Sequence, residues 1–345
     1  MASLPKQIES EDQLDEFLST PTPELVDAVR GWEGRVLVLG AGGKMGPSLC
    51  WLARRALDQA GAQASVTAVS RFRNPAARRW LEDRGIETIA ADLFDGDQLS
   101  RLPDARRVVY LVGMKFGTSS NPELTWAVNT LVPAMVADRY RTASIVALST
   151  GNVYPLSPVD STGSREDDPL TPIGEYANAA VARERIFEYC SRRNETAICL
   201  VRLNYAHDLR YGVITDIGLK LAGDAPIDVT MGYFNAIWQG DANALILRCF
   251  ELCSHPPTAI NLAGPQRLRV RDVAEQLARR LGREPQFVGR ESSTALLSDP
   301  TRLVQRFGPP CVDADTLIDW VGHWMANGGP TLGKPTHFEV RDGRY

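Results

Sequence analysis

The chain has 345 residues, of which 44% are hydrophobic and 23% are charged, and its formal net charge is −4. This length is sufficient for one large domain, or for a domain with a smaller lobe, built around a sizeable core. No block of basic residues predicts a nucleic acid or a membrane surface as partner, and no apolar run reaches the length of a transmembrane helix. The polar, acidic segment 1–15 lacks the pattern of a signal peptide.

The six cysteines and four histidines are scattered and form no metal-ligating pattern. Only Cys249 and Cys253 are close in sequence, and their i,i+4 spacing is typical of one face of a helix rather than of a metal site. We therefore expect a cytoplasmic protein with reduced cysteines and no metal ion.

The segment from Arg35 to Ala60 has the pattern of a strand, a glycine-rich turn and a helix. Four apolar residues come first, followed by Gly40, Gly43 and Gly46 and then by residues with helical spacing. Glycine allows the backbone to approach a pyrophosphate closely, and a helix N-terminus presents free N–H groups and the positive end of its dipole. The segment predicts a nucleotide-binding turn, although a tight strand–helix turn without a ligand would have the same pattern.

Strands and helices alternate after this turn. We predict strands at 65–69, 87–91, 107–112, 143–148, 197–202 and 259–262, and helices at 75–84, 123–140, 174–192, 242–252 and 270–281. This alternation predicts an α/β fold with a doubly wound parallel sheet of the Rossmann type. Ligands of such sheets bind beyond the carboxyl ends of the strands. The residues that follow predicted strand ends here are Gly40, Ser70, Asp92, Gly113 and Ser149.

The chain is expected to have four parts. Residues 1–34 predict an extension of two short helices, and residues 35–205 a dinucleotide-binding domain. Residues 206–332 predict mainly a smaller substrate lobe, interleaved with the last part of the sheet, and residues 333–345 a polar tail that is mobile or docks on a neighbouring molecule. His207 and Asp208 are expected in an exposed loop, where they could also contact a substrate.

The residues after the second strand bear on the choice of cofactor. An enzyme that binds the adenine ribose of NAD usually has an acidic residue at this point, whereas this chain has Ser70, Arg71, Phe72 and Arg73. The planar guanidinium of arginine suits a phosphate. Arg71 and Arg73 therefore favour NADP, with NAD as the weaker candidate, unless both are solvated loop residues.

The order of these segments resembles the extended short-chain dehydrogenase/reductases, the NAD-dependent epimerase/dehydratase family. The resemblance covers residues 35–325. It is carried by the G-x-x-G-x-x-G turn, Asp92-Leu93, Ser149-Thr-Gly-Asn-Val-Tyr154, Tyr176 with Glu184 eight residues later, Asn261-Leu-Ala-Gly264 and Val270-Arg-Asp-Val-Ala274. It implies the fold and a nicotinamide cofactor, but not the substrate.

The resemblance also implies which residues bind the cofactor. The pyrophosphate would lie against Gly40, Gly43, Lys44 and Met45, the adenine against Asp92 and Leu93, and the nicotinamide-side ribose against Val112, Gly113 and Tyr176.

Other positions are implied for catalysis and for the substrate. Thr150 and Tyr176 occupy the family's catalytic Ser/Thr and Tyr positions. Lys115 lies in a segment similar to the Gly-Leu-Lys loop of UDP-galactose 4-epimerases and would contact the substrate, although a solvated loop lysine fits as well. Asn152 and Asn204 are further expected substrate contacts. Dehydratase relatives have acids near Asn152, and an amide cannot act as a general acid or base, which disfavours simple dehydration.

The family's Tyr-x-x-x-Lys pattern is incomplete, because Ala180 occupies the lysine position after Tyr176. That ammonium normally lowers the tyrosine pKa from its free value of about 10, so that the phenol can exchange a proton. Three explanations are open. Arg183 or Lys115 replaces the lysine; the chemistry needs only a weaker base, helped by the charge of the oxidised nicotinamide; or the site binds cofactor without turnover. Tyr176 could also be purely structural.

Together these observations predict an NADP-dependent oxidoreductase or epimerase. It would transfer hydride at a hydroxyl or ketone of a sugar-like or polyol substrate, and transient oxidation would allow epimerisation or bond cleavage. The alternative, from another class, is a cofactor-binding protein without turnover, either an NADP(H) sensor or a pseudoenzyme. The resemblance favours a homodimer formed by helix packing.

Overall fold

A computed structural model of the protein describes residues 4–115, 117–118 and 120–344. Its centre is a seven-stranded sheet. The strands are β1 (Arg35–Leu39), β2 (Ser65–Ser70), β3 (Glu87–Ala90), β4 (Arg107–Tyr110), β5 (Ser144–Thr150), β6 (Ile198–Leu203) and β7 (Thr258–Leu262). All neighbours pair in parallel, in the order β7-β6-β5-β4-β1-β2-β3. The predicted doubly wound Rossmann-type sheet is confirmed.

The central strand β1 is buried on both faces, as expected for a parallel sheet covered by helices on each side. Residues 36–39 are fully buried. In register, Leu39 pairs with Val69 of β2 on one side and with Tyr110 of β4 on the other. The chain thus winds away from β1 in both directions. The carboxyl end of β1 is the topological switch point, where ligands of such sheets bind.

Helices cover the sheet and build the C-terminal lobe. They are α1 (Glu11–Leu18), α2 (Pro23–Val29), α3 (Gly46–Ala60), α4 (Pro75–Glu82), α5 (Gly96–Ser100), α6 (Pro122–Arg139), α7 (Glu175–Asn194), α8 (Val213–Ala222), α9 (Gln239–Arg248), α10 (Val270–Leu281), α11 (Thr301–Phe307) and α12 (Ala314–Ala326). The predicted helix 242–252 is instead α9 followed by a 3₁₀ turn at Cys249–Leu252. Within the described parts of the chain, no helix is long and apolar enough to cross a membrane.

The two N-terminal helices pack against different parts of the molecule. Leu25 and Val29 of α2 lie in the core between α3 and the sheet. Leu14 and Leu18 of α1 lie in the core of the C-terminal lobe, which also contains Trp320. The extension therefore links the sheet to the lobe.

The C-terminal tail packs against its own chain. Phe338 is buried in the core of the lobe. The N–H and hydroxyl of Thr336 donate to the Asp216 carboxylate at 2.7 and 2.6 Å, and Arg341 donates to the carbonyl oxygen and hydroxyl of Thr294, both at 2.7 Å. One buried aromatic ring and a few hydrogen bonds hold the tail against the rest of the chain. The polar composition of the tail does not indicate so small a set of contacts.

A buried ion pair connects α7 to β5 and β6. Nε and Nη2 of Arg202 donate to the Glu184 carboxylate at 2.8 to 3.2 Å, and the side chains are 5% and 0% exposed. Glu184 also accepts the hydroxyl of Ser149. Nη1 of Arg202 donates to Oη of Tyr154 at 2.7 Å and to the carbonyl oxygen of Glu166 at 2.9 Å. Burial lowers the pKa of Arg202, but the pairing with Glu184 outweighs it and raises that pKa.

Replacing the acid of this pair should destabilise the fold. Glu184→Gln leaves the Arg202 guanidinium buried without its counter-charge, which typically costs about 3–5 kcal/mol. We expect a loss of this size in the free energy of unfolding, measured by urea denaturation.

A control variant is available one turn further along α7. Glu188 pairs with Arg185 at 2.7 Å, and the two side chains are 27% and 59% exposed. Exposed pairs contribute at most about 1 kcal/mol, so Glu188→Gln should change the unfolding free energy by less than that. Equal effects of the two substitutions would show that the buried pair is not a special constraint.

Candidate active site

The glycine-rich turn joins β1 to α3 at the switch point of the sheet. Gly40 has a φ of +87°, and a Cβ there would lie 3.1 Å from the backbone of Leu111. A Cβ on Gly46 would lie 2.2 Å from the carbonyl oxygen of Ala41. Only glycine permits both approaches. No side chain caps α3, and the first N–H groups of such a helix are suitable donors for a phosphate.

Two cavities meet at this turn and form one elongated cleft. The α7 cavity, of about 300 Å³, extends toward β5 and α7. The β2 cavity, of about 400 Å³, extends toward the ends of β2 and β3. Gly40, Gly43, Leu111, Val112 and Gly113 line both cavities. The cleft therefore runs across the carboxyl ends of the strands.

Every residue that the sequence analysis assigned to a site lines this cleft. Ser70, Arg71, Arg73, Asp92 and Leu93 line the β2 cavity; Lys44, Met45, Lys115, Thr150, Asn152, Tyr176 and Asn204 line the α7 cavity; Gly40, Gly43, Val112 and Gly113 line both. The fold brings these residues together, and the role of each stays a prediction.

Thr150 and Tyr176 reach the α7 cavity from two different elements. Thr150 ends β5, and its hydroxyl donates to the side-chain oxygen of Asn152 at 3.1 Å while accepting the N–H of Asn152 at 3.2 Å. These bonds fix the rotamer of Thr150. Tyr176 is the second residue of α7. Each of the two side chains is 8% exposed.

Lysine side chains make the cleft electropositive. Nζ of Lys44 lies 3.2 Å from the centre of the Tyr211 ring. Burial, together with the charges of Lys334 and Lys115, lowers the pKa of Lys44 to about 7. Burial lowers the pKa of Lys115 to about 8. An anion bound in the cleft would favour the charged form of both groups.

A comparison of the chain with known protein families gives one match, which covers the sheet domain. Residues 36–206 match the model of the NAD dependent epimerase/dehydratase family. Over these residues, about half of the chain, the sequence is similar to this family. No curated protein matches the chain in sequence.

Solved structures of epimerases share this fold over most of both chains. An epimerase from Methanothermobacter thermautotrophicus has a TM-score of 0.73 at 18% identity, covering 90% of this chain and 97% of that one. A UDP-galactose 4-epimerase has a TM-score of 0.68 at 22% identity, covering 85% and 99%. A UDP-glucuronic acid 4-epimerase from Bacillus cereus, in complex with UDP-glucuronic acid and NAD, has 0.68 at 17% identity, covering 84% and 99%. At these identities the likeness establishes the fold alone.

Ala180 occupies the position where the resemblance implies a lysine, and the structure shows the surroundings of this alanine. Ala180 is fully buried and packs against Val153 and Tyr154. A lysine at this position would overpack that contact. Ala180→Lys is therefore not a clean way to restore the family's Tyr-x-x-x-Lys pair.

Arg183 is the cation on α7 that lines the α7 cavity together with Tyr176. Its side chain is buried, and Nη1 donates to the Asn129 side-chain oxygen at 3.0 Å and to the Val112 carbonyl oxygen at 3.3 Å. A Cβ on Gly113 would lie 2.7 Å from this nitrogen. Nε has no hydrogen-bond partner among the described residues. Arg183 therefore lies beside Gly113, where the resemblance implies the nicotinamide-side ribose.

The structure adds cleft residues that the sequence did not indicate. Tyr211, Gln239 and Thr336 line the α7 cavity, and Lys334 lines the β2 cavity. These residues belong to the C-terminal lobe and the tail, and none of them comes directly after a strand of the predicted sheet domain. No local pattern marks them, because long-range packing alone brings them to the cleft.

The prediction of an exposed loop at His207 and Asp208 is wrong. His207 pairs in a short parallel ladder with Trp238, and both His207 and Asp208 are buried. Nε2 of His207 accepts the N–H of Ile214 at 2.9 Å, and burial lowers the pKa of His207 to about 3. Asp208 pairs with Arg210. Both residues fix the start of α8.

Proposed function

We propose that this protein is a member of the family and an NAD(P)-dependent enzyme that acts at a hydroxyl or ketone carbon of a sugar-like substrate. The observation that carries the proposal is the single cleft in which the glycine turn, Thr150 and Tyr176 meet. Sugar nucleotides are the first substrates to test, because solved relatives of the same fold are epimerases of UDP-galactose and UDP-glucuronic acid.

The cleft has the features that a dinucleotide needs. The turn at Gly40 and Gly46 leaves no room for a Cβ, so its backbone and the start of α3 can approach a diphosphate. Asp92 lines the adenine end, and Gly113 lies where the two cavities join. When bound, the nicotinamide accepts or returns a hydride.

The protein's side chains would handle the proton and position the substrate. Oη of Tyr176 would take the proton of the substrate hydroxyl and later return it. The hydroxyl of Thr150, which donates to Asn152 in the structure, would donate instead to the same substrate oxygen. Lys115 and Asn204 would contact the rest of the substrate. This chemistry fits net oxidation or reduction, and equally a transient ketone that permits epimerisation or bond cleavage.

Removing the hydroxyl of Tyr176 should strongly slow turnover. We expect Tyr176→Phe to lower kcat by about 10²-fold or more, the usual contribution of a positioned general acid or base. The assay incubates the protein and either NAD or NADP with UDP-galactose, UDP-glucuronic acid or dTDP-glucose. It follows the absorbance of the reduced nicotinamide and the NMR spectrum of the sugar.

The matched control is Tyr189→Phe, which removes the hydroxyl of an exposed tyrosine on the same helix and should leave kcat unchanged. If Tyr176→Phe retains full activity, the proposed proton transfer is wrong. If the wild-type protein binds cofactor but no substrate in the panel changes its redox state, the binding protein without turnover is favoured.

We propose further that Arg183 takes the place of the missing lysine. It is buried, it lines the cavity of Tyr176, and its Nη1 lies beside Gly113. A guanidinium at this place would favour an anion in the same cavity and could donate to the ribose hydroxyls. The fixed bonds to Asn129 and Val112 hold the guanidinium in one position.

Removing this charge should change the pH profile. Arg183→Met should lower kcat and move the rising limb of the kcat profile to higher pH, because the cleft loses a positive charge near the proposed proton-transfer site. Arg183→Lys should keep much of the original profile, and Arg185→Met, at an exposed site on the same helix, should keep all of it. A lower kcat with an unmoved profile would mean that Arg183 has only a packing role.

The β2 cavity bears on the cofactor's identity. Arg71 and Arg73 line it, and Nη1 of Arg71 lies 4.0 Å from the Asp92 carboxylate. No acidic residue follows β2 before Asn74. We propose that the two arginines bind the 2′-phosphate of NADP, although the UDP-glucuronic acid 4-epimerase of the same fold was solved with NAD.

A charge reversal tests this preference. Arg71→Glu should raise the Kd for NADP at least tenfold and change the Kd for NAD little, because only NADP carries the extra phosphate. Arg79→Glu makes the same change at an exposed position of α4 and should affect neither. Equal losses for NAD and NADP would contradict the assignment of NADP.

We also propose that the protein forms a homodimer. Leu124 and Leu131 of α6 and Tyr189 of α7 are exposed, and α6 and α7 pack side by side on one face of the sheet. Exposed apolar side chains on adjacent helices suit an interface between copies of the chain.

A further inference from the structure

The chain has five lysines, namely Lys6, Lys44, Lys115, Lys220 and Lys334. Three of them lie in one cleft, where Lys44 and Lys115 line the α7 cavity and Lys334 lines the β2 cavity. Lys334 and Lys115 both act electrostatically on Lys44. Asp216 acts on Lys44 in the opposite sense, and an anionic ligand in the cleft would further favour the charged form of these lysines.

The tail holds Lys334 at this place through contacts on each side. The N–H of Leu332 donates to the carbonyl oxygen of Arg210 at 2.9 Å. Thr336 is bonded to Asp216, and Phe338 is buried in the lobe. Lys334 lies midway between the first two contacts, so its backbone is tethered while its own side chain faces the cleft and remains exposed.

We propose that the C-terminal tail is part of the cofactor site and that Lys334 binds the diphosphate of the dinucleotide. This inference rests on the proposed function, since it assumes that the cleft holds NAD or NADP. Lys334 shares the β2 cavity with Gly40, Gly42 and Gly43 of the glycine turn. The diphosphate would then lie between backbone N–H groups of the turn and an ammonium supplied by the last residues of the chain.

A second phosphate could attract the same ammonium. Arg71 and Arg73 line the same cavity as Lys334, and the 2′-phosphate of NADP would lie near them. Lys334 also shares this cavity with Gly40, Gly42 and Gly43 of the glycine turn, which supports the diphosphate. The two assignments differ in one measurable respect, because the diphosphate is common to NAD and NADP whereas the 2′-phosphate is not.

The test compares cofactor binding by Lys334→Ala and the wild-type protein, measured by calorimetry with NAD and with NADP. Loss of a charge-assisted contact should raise both Kd values by a similar factor of about ten. Lys334→Arg should restore most of the affinity. The difference between wild type and Lys334→Ala should shrink at high salt, because the exposed charge is screened.

Lys220→Ala is the matched control. Lys220 also contacts the tail, through Glu339 at 3.4 Å, but it does not line the described walls of either cavity. Its removal takes away the same charge and a tail contact without touching the cleft. We expect its Kd values to stay within twofold of wild type, and thermal melts should show that both variants are folded.

Hydrogen exchange of residues 332–336 supplies a second readout. Saturating NAD should slow exchange of this segment in the wild-type protein, and in Lys334→Ala much less. Unchanged Kd values for Lys334→Ala, or a loss confined to NADP, would overturn the assignment to the diphosphate. If the wild-type protein binds neither NAD nor NADP, the proposed function itself fails.

Discussion

The buried pair of Glu184 and Arg202 is the constraint on which the geometry of the site depends. A carboxylate and a guanidinium this deeply buried are tolerated only together, because either charge alone would lack its counter-ion. Glu184 lies eight residues after Tyr176 on α7 and accepts from Ser149, the residue before Thr150. The pair thereby fixes the helix that carries the phenol against the strand that carries the threonine. The ion pair therefore keeps Tyr176 and Thr150, the two groups proposed to handle the proton, in one cavity.

Two further residues of this helix, Ala180 and Arg183, bear on the proposed proton transfer. Ala180, one turn after Tyr176, packs against the 3₁₀ turn at Gly151–Val153. Thr150 comes directly before this turn, so the contact helps to hold Thr150 in position. Arg183 lies almost one further turn along α7. Its guanidinium donates to the side-chain oxygen of Asn129 and to the carbonyl oxygen of Val112, which follows β4. A cation thus lies beside Gly113 and is held by fixed partners. In the proposed role of Arg183, a planar, anchored guanidinium would act in place of a flexible ammonium.

The C-terminal lobe and the tail supply the walls of the cleft that the sheet does not. The sheet supplies the glycine turn and the strand ends. The lobe adds Tyr211, whose ring lies under Lys44, and the tail adds Lys334 and Thr336. The N-terminal extension connects the two parts through separate cores. Electropositive character in the cleft therefore comes from segments hundreds of residues apart, and it is consistent with an anionic cofactor or substrate.

The sequence by itself determined the sheet and the sheet-derived part of the cleft. Apolar runs set the strands, Gly40 and Gly46 marked the turn, and residues after strand ends converge because carboxyl ends of parallel strands meet at one edge. Tertiary structure alone decided that the tail docks on its own chain, that His207 is buried, and that Lys334 enters the cleft. Those outcomes depend on contacts between distant segments, such as Thr336 with Asp216, and no local periodicity encodes them.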